Sequence, residues 1–110
     1  MIEWQRVKEL RHEIGAEAFD QVIVLFLAEL DETEAQLQAA TTAPELRHTL
    51  HTLKGIGLNL GFTEIAQLCQ TLETRAEQGE TDLPLAQVSA VLAQSRAAFV
   101  KDLPALGSAE

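Results

Sequence analysis

With one cysteine, Cys69, the 110-residue chain cannot close a disulfide of its own. That fits a reducing compartment and excludes the disulfide-stapled scaffolds of small secreted domains. Cys69 falls among Ile65, Leu68 and Leu72 and reads as a small buried hydrophobe rather than a reactive thiol. Cations are also scarce: eight Lys and Arg stand against 17 Asp and Glu, for a formal net charge of −9. A nucleic-acid binder needs clustered Lys and Arg against phosphates, so that class is excluded, and an acidic surface disfavours anionic membranes as well. Long apolar runs are missing. The longest, Val22 to Ala28, is far short of a bilayer span, and the segment Met1 to Arg6 has no apolar signal core. A cytoplasmic protein is expected. Aromatics make up only 5%, with no Tyr, and no stretch of useful length alternates with period two. A sheet is thereby disfavoured, and abundant Leu and Ala point to helix packing.

What is present suits one domain with one core: 46% hydrophobic and 23% charged residues are ordinary globular values. Residues 3–13 carry Trp4, Val7, Leu10 and then Ile14 at helical spacing, ended by Gly15. A long helix from Glu17 to Ala39 follows, with Phe19, Val22, Ile23, Phe26, Leu30, Thr33 and Leu37 on one stripe. Thr41 to Glu45 supplies a break, where Thr42 and Glu45 make a capping box and Pro44 is tolerated in a first turn. The next helix spans approximately 43–60 and stops near Gly61. A fourth, Thr63 to Glu77, buries Ile65, Leu68, Cys69, Leu72 and Ala76 before Gly79. The last opens at Thr81-Asp82-Leu83-Pro84, carries Leu85, Val88, Leu92, Ser95 and Phe99, and is closed by Pro104 and Gly107. Short connections between long amphipathic helices predict an all-α, up-down-up-down antiparallel four-helix bundle with a short additional N-terminal helix, filling residues 1–110.

The third of these long patterns holds the most informative residues. At about 100° per residue, Leu46, Leu50, Leu53, Gly57 and Leu60 form a buried stripe, and His51 points well away from it, toward water. Neighbours three and four residues apart place Arg47 one turn before the imidazole, Lys54 and Gly55 one turn after it, and Leu58 two turns after. Gly55 and Gly57 each weaken the helix by about 1 kcal/mol relative to Ala, so something other than helix stability favours them. The imidazole has a cation on one side and a missing side chain on the other. A large anion attached to the ring could be neutralised there and approached by another protein. Neutral imidazole, with an ordinary pKa of about 6.5, is a nitrogen nucleophile that needs no base.

The string His51-Thr52-Leu53-Lys54-Gly55, closed by Gly61, resembles the signature of histidine-containing phosphotransfer (HPt) domains, and the likeness continues from Phe62 through Leu68-Cys69 to Leu72-Glu73. The resemblance implies that His51 is the phosphoacceptor, through Nε2, with Lys54 the phosphate-facing cation and Gly55 the residue that gives access. Gly61 serves close helix packing or the turn. The resemblance further implies that the partners are receiver domains of a hybrid sensor histidine kinase or a response regulator, and that the receiver holds the Mg²⁺ and performs the catalysis. No metal or cofactor is then expected on this chain. Two positions depart from the family pattern: Ile56 stands where small residues are common, and Leu50 where Ala is common.

Other residues keep two readings. Leu58, with Ile23 or Leu27, gives an apolar docking surface or is ordinary core; Arg47 is a docking contact or a solvated charge. His48 is a solvated neighbour of His51, or the acceptor if His51 is not; the further ligands that a metal site needs are absent from the pattern. His12 is structural or solvent-facing. Against a phosphocarrier stand a helical interaction module without phosphotransfer and a histidine-kinase fragment, the latter lacking room for an ATP-binding domain. Acid, base or triad catalysis has no supporting constellation. A freestanding, monomeric shuttle is expected.

Overall fold

A computed structural model describes residues 2–108 and contains five α-helices: α1 Trp4–Ile14, α2 Ala16–Ala39, α3 Ala43–Asn59, α4 Thr63–Glu77 and α5 Leu85–Ser108. Capping chemistry sets several of the boundaries. The Glu3 carboxylate accepts from the Gln5 backbone N–H at the start of α1. One residue, Gly15, then joins α1 to α2 at φ +86°. At α3 the Thr42 hydroxyl accepts from the Glu45 N–H at 3.3 Å and donates to the Glu45 carboxylate at 2.7 Å, with Pro44 in the first turn.

The α3–α4 turn is a Schellman motif. Phe62 N–H bonds the Gly57 carbonyl at 2.8 Å and Gly61 N–H the Leu58 carbonyl at 3.3 Å, which requires the φ of +74° found at Gly61. A side chain there would also drive its Cβ to 2.5 Å from the Glu3 carbonyl oxygen. The reason is that the N-terminal segment crosses this turn, donating from Glu3 N–H to the Gly61 carbonyl at 2.7 Å and forming an isolated bridge between Ile2 and Phe62.

Packing follows the apolar stripes. Helix α3 makes its most extensive contact with α4 and its next with α2; α5 lies against α4 and α2, so the four long helices close on one another, and α1 packs on α2 and α3. Leu30, Leu37, Leu46, Leu50, Leu53, Ile65, Leu72 and Leu92 fill the centre with almost no exposure. Gly57 lets α3 and α4 approach: a Cβ at this position would lie 2.8 Å from Ile65 Cγ2. At one end Phe99 stacks on Trp4 at 5.6 Å and meets Phe62 edge-on at 5.3 Å, tying α1 and α5 to the α3–α4 turn.

Two expectations need correction. Helix α5 is not closed by Pro104 but runs through it to Ser108. The proline forgoes only one main-chain bond, and it is exposed close to the helix end, where the carbonyl left over can be hydrated. Ile23, weighed as a docking residue, is core at 3% exposure, because it continues the Phe19, Ile23, Leu30 stripe inward. Among the described residues no helix is long and apolar enough to cross a membrane.

Candidate functional site

The site is built across α3 and α4. His51 stands on the outer face of α3 with its side chain 64% exposed, while Nδ1 lies 3.0 Å from Oε2 of Glu73, whose own side chain is only 8% exposed. The second oxygen of that carboxylate, Oε1, lies 2.9 Å from Lys54 Nζ. Lys54 also donates to the side-chain oxygen of Gln70 at 2.8 Å. One carboxylate thus engages both functional groups of α3, one on each oxygen.

Spacing on α4 explains how an acid came to be there. Ile65, Cys69 and Glu73 recur at intervals of four and share the buried face with Leu72 and Ala76. A carboxylate on that face is costly unless paired. Burial pushes the Glu73 carboxyl up, but the Lys54 and His51 hydrogen bonds and their charges outweigh it and hold the group below its usual value. Glu73 is therefore a carboxylate at neutral pH. Because its folded-state value is depressed, the stability it contributes is present above the ordinary carboxyl value and lost as pH falls through the folded one.

An ionised carboxylate against Nδ1 requires that nitrogen to be the protonated one. In the neutral ring the tautomer is thereby Nδ1–H, with the lone pair on Nε2. Gly55, one turn beyond His51, has no neighbour that an added Cβ would touch. A groove between α3 and α4 continues from Lys54 past the exposed Leu58 to Thr63, Ala66 and Gln67.

Not every residue expected at the site is there. Gly61 belongs to the α3–α4 turn and packs on Glu3, so its role is in the turn rather than at the imidazole. Arg47 and His48 are exposed on α3, as is His12 on α1. Leu27 is half-buried, and the apolar side chains that α2 does expose are Val24 and Leu25. Ile56 is buried and Leu50 fully so; both departures from the family pattern therefore lie in the core, turned away from the exposed ring. Lys54 does stand at the site, anchored to α4 by Glu73 and Gln70. Glu73 and Gln70 are what the sequence reading missed as site residues. The signal was an acid on the apolar face of α4. Among the described residues no group of three or more His, Cys, Asp or Glu could hold a metal ion.

Comparison with known proteins gives one match. No curated protein and no solved structure matches the chain. The Hpt domain family, however, matches residues 21–104, a span that takes in most of α2, the whole of α3 and α4, and most of α5. Both halves of the His51–Glu73 pair fall inside it, and the chain belongs to the Hpt domain family, whose members are phosphocarrier modules of histidine phosphotransfer.

Proposed function

We propose that the chain carries a phosphoryl group on Nε2 of His51, taking it from the aspartate of one receiver domain and passing it to another in a two-component phosphorelay. The observation that carries this reading is the 3.0 Å contact between His51 Nδ1 and the buried Glu73 carboxylate, which commits one ring nitrogen and leaves the other as nucleophile. In the transfer, the Nε2 lone pair attacks phosphorus and the bond to the donor aspartate breaks, its electron pair returning to that carboxylate. No proton has to leave the ring. Lys54, held within one turn, offers a cation to the phosphoryl oxygens. Gly55 leaves room for the partner's aspartate to come into line.

On this reading the donors and acceptors are receiver domains of a hybrid sensor kinase and a response regulator. The receiver supplies the Mg²⁺ and the catalytic power; this chain supplies a positioned nucleophile and binds no metal or cofactor of its own. Val24 and Leu25 of α2 and Leu58 of α3 are large, exposed apolar side chains that offer a docking surface. The closed ring of contacts among α2 to α5, with short connections, supports an up-down-up-down antiparallel bundle. The carrier works in the cytoplasm, and as a monomer, since one bundle holds His51, Lys54 and Glu73 together.

The test is transfer of labelled phosphate from phosphorylated receiver domains to the native chain, to His51→Gln and to His48→Gln. Acid-labile label on the native and His48→Gln chains but not on His51→Gln is the expected result. Absence of label from every receiver tried would move the assignment to a helical interaction module.

A further inference from the structure

The contact that selects Nε2 for attack has a second consequence once the phosphoryl group is in place, and it rests on the reading that His51 carries one. Attack by Nε2 leaves the ring with a proton on Nδ1 and a phosphoryl group on Nε2, a phosphoimidazolium. From that state the group leaves easily: an acceptor carboxylate attacks phosphorus, the P–N bond breaks, its electron pair returns to Nε2, and neutral Nδ1–H imidazole is regenerated with no proton moved. If Nδ1 instead loses its proton to solvent, the ring becomes a neutral phosphoimidazole. Its departure would then produce an imidazolate, a far poorer leaving group, unless a proton returned first.

Which state persists depends on what faces Nδ1. Glu73 of α4 places an ionised oxygen 3.0 Å away, and an opposite charge at that range favours the protonated ring. The same carboxylate is kept ionised by Lys54 at 2.9 Å on its other oxygen. On α3 itself Arg47, His48 and Lys54 lie within about a turn of the ring and are cationic or neutral. Of the charges on α1 and α2, Arg6 pairs with Glu9 and Glu13, and Asp31 with Arg96 of α5. Glu73 is the one anion on the imidazole among the described residues. We propose that Glu73 is a positioning residue that keeps Nδ1 of His51 protonated after Nε2 has been phosphorylated, holding the carrier in the state from which the phosphoryl group is readily passed on.

The experiment labels the native chain and Glu73→Gln with phosphoramidate, a small donor that needs no relay partner, and follows the ring nitrogens by ¹⁵N NMR between pH 6 and 9. In the native phosphorylated protein Nδ1 is expected to stay protonated to higher pH than in Glu73→Gln. Loss of the phosphoryl group is expected to follow the same inflection in each protein. A native phosphorylated ring that loses its Nδ1 proton at the same pH as Nε2-phosphohistidine in a short unstructured peptide would overturn the proposal, and this arm decides even if the variant fails to fold. Coincident titrations in the two proteins would overturn it as well. Transfer to receiver domains is scored separately: a shifted ring titration in a protein that serves no receiver would support the Glu73 assignment and count against the relay.

Discussion

Two glycines two residues apart on α3, and so on opposite faces of it, Gly55 and Gly57, serve opposite ends, and substitution separates them. A Cβ at Gly55 meets nothing within contact range. Gly55→Ala is therefore expected to stabilise the fold by up to about 1 kcal/mol through helix propensity while slowing transfer from a receiver, because the added methyl occupies the approach to the ring. A Cβ at Gly57 would meet Ile65 Cγ2 at 2.8 Å, a branch with little freedom to move. Gly57→Ala should lower stability by roughly 1–3 kcal/mol less the propensity gain, since α3 and α4 must separate. Thermal melts of both variants alongside a transfer assay check the pair; the same sign of stability change in both would sink the distinction. Sequence alone distinguished the two only by wheel angle. It also identified His51, Lys54 and Gly55 as a group, because all three lie on one helix and local spacing determines their neighbourhood. Glu73 is 22 residues away from His51, on another helix, and only the packing of α4 on α3 reveals that it faces the ring.

At the level of elements, the helices were legible wherever local chemistry punctuates them. Thr42 caps α3, Gly15 separates α1 from α2, and α4 has the same ends, Thr63 and Glu77, in pattern and structure. The end of α5 was not legible, because a proline reads as a stop although an exposed position near a helix end tolerates it. The attachment of the N-terminal segment to the α3–α4 turn was equally hidden, since it depends on a main-chain bond between Glu3 and Gly61 that no side-chain pattern encodes. Gly61→Ala tests that junction. With φ at +74° and the Glu3 carbonyl in the way, the variant should lose about 1–2 kcal/mol from backbone strain alone and more from the clash. Hydrogen exchange at the Glu3 amide should accelerate, while labelling of His51 by phosphoramidate persists. An unchanged Glu3 amide would refute the role assigned to this turn.

For the whole molecule, one buried reporter measures integrity. Cys69 has no exposed surface, and burial first, then the nearby Glu73 charge, pushes its thiol up to about 12. A thiol reagent at pH 8 should therefore react only as fast as the bundle opens, and denaturant should raise labelling in step with loss of helicity. Prompt labelling of the native chain would show that α3 and α4 part more readily than their packing suggests.

The reactive ring, its cation, its anion and its open flank all reside on a single helical hairpin, residues 43–77, with α2 and α5 serving as its backing. Inheritance can act on these two parts at different rates. On the relay reading proposed above, substitutions on the outer surface of α2, where Val24 and Leu25 stand exposed, would leave the chemistry intact while changing which receivers fit, so a duplicated copy could acquire a new correspondent without relearning how to carry the message.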